Sequence, residues 1–330
     1  MAISTRLTQR LGIEHPIMLA PMGAVSGGAL AAAVTAAGGL GLIGGGYADP
    51  EWVEREFAAA GNRPIGCGFI TWALAKRPAT LDLALHHRPA AVMLSFGDAA
   101  PFLPKIKSAG ALAICQVQSL AQARAVLLEG ADIIVAQGTE AGGHGGGRST
   151  LPLVPAVVDM VAGSGRDVPV VAAGGITDGR GLAAALMLGA DGVLMGTRFY
   201  VASEALASPA AKARVVTASG DDTLRTAVFD IARGYDWPKD FTGRAVRNRF
   251  SEAWHGREQA LAQNETERVR YADAAARGDA DTAVVFAGEG IDLIHAIEPA
   301  AIILDRVVRE AEAALARPLT TTARMVRSGK

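Results

Sequence analysis

One stretch of this chain combines dense glycine with a side chain that can exchange protons near neutral pH. An apolar run at 133–136 has the composition of a strand and ends at Gln137, and six of the next ten residues are glycine. Glycine at this density predicts an irregular loop whose backbone can approach a ligand closely. The ionisable residues between 135 and 147 are Glu140 and His144, and an imidazole can accept a proton near pH 7. His144 is the predicted catalytic residue, and the alternative is a flexible loop with an incidental surface histidine.

Short apolar runs alternate with Ala- and Leu-rich helical segments over about the first 200 residues. The predicted strands are 16–20, 40–43, 65–69, 91–95, 112–116, 133–136, 168–172 and 192–195. The predicted helices are 28–37, 50–60, 79–86, 101–109, 120–129, 154–162 and 179–188, with another after Gly196. Strands that are apolar along their whole length are typical of a parallel sheet covered by helices. This repetition predicts an α/β fold, a (β/α)8 TIM barrel, with a doubly wound open sheet as the alternative.

After about position 218 the pattern changes, because charged and aromatic residues become more frequent. Helices are predicted at 243–255 and 259–277. The predicted division is a barrel of residues 1–218, completed by a C-terminal helix in 299–330, and a smaller, mainly helical cap domain of 219–298 over one end. A dimerisation or packing extension is the alternative. Within the cap, Trp237 and Trp254 could exclude water above the site, or contribute ordinary packing.

The composition argues against several classes of partner. The formal net charge is −1 and the basic residues are scattered, so neither nucleic acid nor an anionic membrane is an expected partner. Glycine pairs interrupt the longest apolar stretches, and Met1–Arg6 does not have the pattern of a secretory signal. The expectation is a soluble, cytoplasmic protein. No metal is expected, because the histidines lack the spacing of metal ligands.

Glycine follows each of the last two predicted strands, in Ala173-Gly174-Gly175 and in Gly196-Thr197. Glycine at these ends exposes backbone N–H groups at the barrel face that carries the active site, which predicts a phosphate site. Asp178 is better explained as the N-cap of the next helix, since a carboxylate would repel phosphate. The phosphate could belong to a sugar-phosphate substrate or to FMN. The first strand ends in Ala20-Pro21-Met22-Gly23, a narrow apolar edge where a flat ring could lie.

At this point the chain resembles the FMN-dependent nitronate monooxygenases, formerly called 2-nitropropane dioxygenases, and the related FabK-type enoyl-acyl-carrier-protein reductases. The resemblance is carried by PIMLAPMG at 16–23, QGTEAGGHGG at 137–146, VVAAGGI at 170–176 and MGTRF at 195–199. A further match, AGEG at 287–290, resembles the family's cap segment. These motifs cover most of the chain and are specific for the superfamily rather than for one substrate.

The resemblance implies a role for each matching residue. It implies that His144 is the active-site histidine and that FMN is the cofactor. Ala20, Pro21, Met22 and Gly23 would line the flavin, and Gln137, Gly142 and Gly143 would lie beside its ring or ribityl chain. Ala173, Gly174, Gly175, Gly196 and Thr197 would hold its phosphate. Many relatives carry asparagine after the third strand and a basic residue at the end of the fifth, so Thr71 or Gln116 is expected at the N1/O2 edge of the ring instead.

The activity implied by the resemblance is oxidation of an alkyl nitronate by O2 to a carbonyl compound and nitrite. With a neutral nitroalkane, His144 would remove the α-proton; with a preformed nitronate, it would position the nitro group or stabilise its charge. One alternative keeps the flavin and uses NAD(P)H to reduce a quinone or an enoyl thioester. Another is a flavin-free barrel that binds a sugar phosphate. The sequence leaves open whether the protein is a homodimer.

Overall fold

The computed structural model describes residues 3–317. Within this range the strands are β1 (Ile17–Leu19), β2 (Leu42–Gly46), β3 (Gly66–Ile70), β4 (Ala91–Ser95), β5 (Leu112–Val117), β6 (Ile133–Gln137), β7 (Gly143–Gly145), β8 (Val170–Ala173), β9 (Gly192–Met195), β10 (Thr223–Thr226) and β11 (Thr242–Val246).

The helices of the same range are α1 (Arg6–Leu11), α2 (Gly28–Ala36), α3 (Pro50–Ala60), α4 (Thr71–Leu74), α5 (Ala79–His86), α6 (Leu103–Ser108), α7 (Leu120–Glu129), α8 (Thr150–Gly163), α9 (Gly179–Met187), α10 (Thr197–Tyr200), α11 (Pro209–Thr217), α12 (Val228–Arg233), α13 (Arg249–Trp254), α14 (Glu258–Ala262), α15 (Glu265–Ala276) and α16 (Ala300–Leu315). None of these helices is long and apolar enough to cross a membrane.

Eight parallel strands form the main sheet, in the order β1-β9-β8-β6-β5-β4-β3-β2. A parallel bridge joins Met18 of β1 to Leu40, two residues before β2, so the sheet closes into the predicted (β/α)8 barrel. The strands are apolar throughout because both of their faces are buried. One set of side chains, including Met18, Met93 and Val135, packs with Leu7 of α1 in one apolar cluster. The other set packs in a second cluster with the helices.

The predicted barrel elements agree closely with the observed ones. β4, β9, α3, α5 and α7 have the predicted bounds, and Asp178 caps α9 by accepting a hydrogen bond from the Gly181 N–H. The helix predicted at 154–162 begins four residues earlier, at Thr150. Pro152 lies in its first turn, where a missing N–H costs no helical hydrogen bond.

The helix predicted at 259–277 is divided into α14 and α15. Two further predictions of secondary structure are wrong. The glycine-rich stretch predicted to be irregular contains β7, and the segment predicted as a helix at 243–255 begins with β11 and becomes helical at Arg249. These segments pair with each other: His144 lies opposite Gly243 in an antiparallel sheet of order β10-β11-β7. A pairing partner about a hundred residues away overrides the local preference of each segment.

The segment 219–298 contains α12 to α15 and the strands β10 and β11. Its apolar core is formed by Phe229, Phe250, Trp254, Leu261 and Tyr271 with their neighbours, so Trp254 has a packing role. The final described helix, α16, packs on α9 and α2 at the barrel wall. Positions 318–330 of the predicted C-terminal segment lie outside the described residues, and the domain division at 218/219 stays a prediction.

Candidate functional site

His144 stands above the end of the barrel where the parallel strands terminate. Its strand, β7, follows β6 after a short turn and is held in place by pairing with β11. The side-chain amide of Gln137, the last residue of β6, donates to the His144 carbonyl oxygen at 3.1 Å. Gln137 therefore fixes the His144 backbone at the end of β6.

The His144 imidazole is paired with a buried carboxylate. Its Nε2 lies 2.9 Å from Oδ2 of Asp230 on α12, and the exposed fractions of the two residues are 9% and 3%. Sequence reasoning did not identify Asp230. The sequence signal for it was an acid inside the apolar run Val228-Phe229-Asp230-Ile231-Ala232. An acid in such a run is expected to be buried, and a buried acid needs a partner.

Aromatic rings surround the imidazole. The Trp237 indole stacks on it with ring centroids 3.4 Å apart and an angle of 3° between the planes. Trp237 Nε1 donates to the Tyr47 hydroxyl at 2.9 Å, and Tyr47 stacks on Tyr235. Phe96 contacts both His144 and Trp237 edge-on. These rings exclude water from most of the imidazole surface.

The backbone of Phe96 is strained. Its φ is +64°, a left-handed conformation that a bulky residue rarely adopts. Phe96 directly follows β4, so this conformation lies at the end of the barrel that carries the site. Strain of this kind persists where surrounding structure maintains it, and it is frequent at functional sites.

The electrostatic surroundings favour a neutral imidazole. Burial lowers the pKa of His144, and the positive charges of Arg233 and Arg225 lower it further, while the hydrogen bond and charge of Asp230 oppose the shift. The net direction is downward from 6.5. At neutral pH the ring therefore carries one proton and one basic nitrogen, which is the state that a general base requires.

Three glutamines form a hydrogen-bonded cluster below the histidine. Gln116 and Gln118 both donate to the side-chain oxygen of Gln137, at 3.2 and 2.9 Å. The structure thus brings together His144, Gln137 and Gln116, and the predicted roles of the two glutamines beside a flavin stay predictions. Gln118 was not predicted.

Thr71 lies in a different environment. The residue is buried, and its Oγ1 has no hydrogen-bond partner within the described part of the chain. Thr71 lines a cavity of about 490 Å³ whose other walls include Trp72, Leu81, Gly97 and Phe102. Its hydroxyl is therefore available to a ligand rather than engaged with the glutamine cluster.

Two arginines that sequence reasoning missed hold the glycine-rich loop. Arg225 on β10 donates to Thr139 and to the carbonyl oxygens of Ala141 and Gly145, and burial lowers its pKa to about 10. Arg244 on β11 also donates to the Thr139 carbonyl and pairs with Glu289 at 2.7 Å. The conformation of the loop therefore depends on the segment that follows residue 218.

Glu140, the other ionisable residue of the loop, has a structural role. Its carboxylate accepts hydrogen bonds from the Thr150 N–H, at 2.9 and 3.0 Å, and from the Thr150 hydroxyl at 2.8 Å. It ties the glycine-rich loop to the start of α8.

The loop that follows β1 packs on β2 and β3 at glycine residues, which have no side chain. A Cβ on Gly44 would fall 2.2 Å from the Met22 oxygen, and one on Gly68 would fall 2.3 Å from the Pro21 ring. Glycine at both positions therefore lets Pro21 and Met22 lie directly on β2 and β3. Gly23 lies over Gly46 less tightly, since a Cβ on Gly23 would be 3.5 Å from the Gly46 Cα, an ordinary contact distance.

The predicted phosphate residues lie at the ends of β8 and β9. Ala173 is the last residue of β8, and Gly174 and Gly175 follow it with φ of +109° and +70°.

Gly196 follows β9. Among the described residues, a Cβ on Gly196 would meet only Ala20 and Met22 within 4 Å, at 3.5 and 3.7 Å. Next to it, the Thr197 hydroxyl accepts from the Gly288 N–H at 3.0 Å. These residues form a glycine-lined cradle at the ends of β8 and β9, and its role as a phosphate site stays a prediction.

Gly142 and Gly143 differ in their surroundings. A Cβ on Gly142 would fall 2.7 Å from the backbone of Ala287 and Gly288, so glycine here permits a close packing contact with that segment. A Cβ on Gly143, whose φ is +71°, would meet nothing within 4 Å. Gly143 thus borders open space beside the histidine.

The fold defines this protein as a (β/α)8 barrel. The sequence profile of the nitronate monooxygenase family matches residues 4–69 and 70–310, so the chain belongs to that family and is an oxidoreductase. The family is flavin-dependent in general, and the described residues fit such a group, with a glycine cradle for a phosphate and an apolar edge at Ala20 to Gly23.

Individual relatives cover most of the chain. A nitronate monooxygenase of Metarhizium robertsii is 36% identical over 340 residues, covering 92% of each chain. A dehydrogenase of a hydroxy-methyl-oxo-octahydroindene-carboxyl-CoA from Mycobacterium tuberculosis is 38% identical over 237 residues, which are 70% of this chain and 65% of that protein. The structure of FabK from Thermotoga maritima superimposes with a TM-score of 0.81 at 31% identity, covering 95% of this chain and 97% of the other.

Proposed function

We propose that this protein is an FMN-dependent nitronate monooxygenase that oxidises alkyl nitronates with O2 to a carbonyl compound and nitrite. The observation that carries the proposal is the buried, predominantly neutral imidazole of His144, placed beside open space at Gly143 and above the glycine-lined barrel mouth. Family membership supports the reaction class, and the relative from Metarhizium robertsii carries the same activity in its name.

The residues proposed to hold FMN are those of the cradle and of the β1 loop. Ala173, Gly174, Gly175, Gly196 and Thr197 would bind its phosphate through backbone N–H groups and a hydroxyl. Ala20, Pro21, Met22 and Gly23 would line the flat ring, with Gln137 and Gly143 beside it and Thr71 or Gln116 at its polar edge. When bound, the flavin supplies the redox chemistry, while the protein supplies placement and electrostatics.

His144 is proposed to act on the substrate. With a neutral nitroalkane, its unprotonated ring nitrogen takes the α-proton, and the electron pair of the broken C–H bond moves onto the nitro group. With a preformed nitronate no proton has to be removed, and the imidazole positions the nitro group. Trp237, Tyr47 and Phe96 exclude water around the ring, which strengthens its hydrogen bonds.

A second candidate is an NAD(P)H-dependent flavin reductase that acts on an enoyl thioester or a quinone. The similarity to FabK and to a CoA-ester dehydrogenase favours it. A flavin-free, sugar-phosphate-binding barrel remains the candidate from another class.

One experiment separates the three. The purified protein, incubated with FMN if it is colourless, is mixed anaerobically with propane-2-nitronate, NADH or NADPH in separate runs while the flavin spectrum is followed. Rapid bleaching by the nitronate alone supports the proposal. Faster bleaching by NADH or NADPH identifies the reductase, and failure to bind FMN identifies the flavin-free barrel. Size-exclusion chromatography of the same sample tests for a homodimer.

The role of His144 is tested separately. His144→Ala should retain flavin and lose most turnover on neutral nitroalkanes, whereas the exposed His86→Ala should behave as wild type. Unchanged turnover of His144→Ala would remove the histidine from the role of base.

A further inference from the structure

We infer that Asp230 is a positioning residue for His144, which keeps the imidazole proton on Nε2 and thereby makes Nδ1 the proton-accepting atom. The catalytic part of this inference rests on the proposed function. The tautomer itself is a property of the protein and is tested independently below.

The geometry fixes which nitrogen carries the proton. A carboxylate oxygen accepts hydrogen bonds, and Oδ2 of Asp230 lies 2.9 Å from Nε2 of His144. An ionised Asp230 therefore requires the proton on Nε2. The neutral ring then has its lone pair on Nδ1, in the way that hydrogen-bonded carboxylates orient histidines elsewhere.

The hydrogen bond to His144 is the interaction that accounts for a buried carboxylate at Asp230. Within residues 3–317, Asp230 Oδ1 is buried without a hydrogen-bond partner, and Nε2 of His144 is the one hydrogen-bond partner of the Asp230 side chain. Burying a carboxylate is costly. A carboxylate retained for local structure would be expected to bind backbone N–H groups, as the carboxylate of Glu140 does at Thr150.

Both partners are held rigidly. Val228, Phe229 and Ala232 of α12 are buried in the apolar core around Trp254, so the helix that carries Asp230 is anchored on both sides of it. His144 is fixed by strand pairing with Gly243 and by the stacked Trp237. The distance between the two side chains is thus set by packing rather than by the flexibility of a loop.

The charged groups that act on His144 come from two elements, α12 and β10. Asp230 and Arg233 lie on α12 and Arg225 on β10, and all three affect the imidazole. Arg244 of β11 is engaged with Thr223 and Glu289. Because Asp230 is the negative charge of this set, its removal lowers the His144 pKa and withdraws the stabilisation of the imidazolium that forms after proton transfer.

The step itself is a proton transfer. The Cα–H bond of the nitroalkane breaks, its electron pair moves onto the nitro group to give the nitronate, and a new N–H bond forms at Nδ1. The ring then carries two protons, and Asp230 faces the resulting positive charge.

The first test reads the tautomer directly. Long-range ¹H–¹⁵N spectra of the histidine side chains, assigned with His144→Gln, should show the Nε2–H form of His144 in the wild-type protein at pH 7.5. The Nδ1–H form would overturn the inference. This result does not depend on substrate, so it stands even if the proposed function fails.

The second test compares two substrates in the flavin-loaded enzyme. Asp230→Asn should lower kcat on a neutral nitroalkane by about tenfold to a thousandfold, with a smaller change in KM, and should move the acid limb of its pH profile to lower pH. Turnover of the preformed nitronate should stay within about threefold, because no proton is removed. The exposed Asp236→Asn is the matched control, and Asp230→Glu should recover part of the lost rate.

Equal losses on both substrates, or an unmoved acid limb, would show that Asp230 is merely structural. A wild-type enzyme that oxidises neither substrate would instead refute the proposed function. The inference about Asp230 would then be decided by the ¹H–¹⁵N spectra of His144. Thermal unfolding of Asp230→Asn establishes that the variant is folded.

Discussion

The indole of Trp237 lies parallel to the imidazole of His144, with ring centroids 3.4 Å apart. The indole covers one face of the histidine, and its N–H is held by the Tyr47 hydroxyl. This stacking contributes to the burial that lowers the His144 pKa, and four consequences of the surrounding structure can be measured.

Trp237→Ala should raise the pKa of His144 towards its ordinary value, because water reaches the uncovered face of the ring. The neutral, active form then disappears at a higher pH, so the acid limb of kcat/KM on a neutral nitroalkane should move upward by about half to one pH unit. Trp237→Phe retains a stacked ring and is the matched control. An acid limb at the same pH in Trp237→Ala would contradict the role assigned to the indole.

His144 should make folding stability depend on pH. Its pKa is lowered in the folded protein, so the unfolded chain takes up its proton first as the pH falls. The stabilising contribution is complete above about 6.5, the value of an unperturbed histidine, and is lost as the pH falls through the lower folded-state pKa. The free energy of unfolding from urea titrations should fall less steeply between pH 7.5 and 5.5 in His144→Gln than in wild type. Parallel pH dependences would show that the pKa is not lowered.

Gly196→Ala should weaken flavin binding while leaving the fold intact. The added Cβ meets Ala20 and Met22 at ordinary contact distances of 3.5 and 3.7 Å, but it enters the cradle proposed for the phosphate. We expect the Kd for FMN to rise by at least about tenfold, about 1.4 kcal/mol, in fluorescence titrations. Gly163→Ala, at the end of α8 with nothing within 4 Å of the added Cβ, is the control. Equal affinities would place the phosphate elsewhere.

Arg225→Lys should loosen the glycine-rich loop. A lysine presents a point charge and cannot reproduce the fork of hydrogen bonds to Thr139, Ala141 and Gly145. Because buried acceptors lose their donors, the free energy of unfolding should fall by about 1–3 kcal/mol, and the amides of the loop should exchange faster with deuterium. Arg249→Lys, at an exposed site on α13, should change neither quantity. Unchanged exchange in the loop would show that Arg225 does not hold it.

The barrel could be predicted from the sequence because its signals are local. Each strand is apolar along its length, and glycine marks the end of helices such as α7, where Gly130 has a φ of +96°. The N-cap at Asp178 is also encoded within three residues of the helix it serves. Such features require no knowledge of distant partners.

The surroundings of His144 could not be predicted in the same way. Asp230 is 86 residues away along the chain, and β7 becomes a strand only because β11 pairs with it. The sequence identified the histidine through its glycine-rich context. The acid within the apolar run 228–232 and the predicted water-excluding role of Trp237 were local signals, but nothing local connected either residue, or the two arginines, to His144. The roles of the proposed flavin residues stay predictions.

The strand pairing of β7 with β11 has a consequence for building hybrid enzymes. The imidazole is encoded before residue 218, while its carboxylate and its covering indole are encoded after it. A chimera that joins the N-terminal part of one relative to the C-terminal part of another would take the histidine from one parent and the carboxylate and indole from the other. Such hybrids should retain activity only where both parents carry matching residues along the pairing of β7 with β11. Exchange of the segment after residue 218 therefore offers a way to change the pKa of the histidine while the barrel stays unchanged.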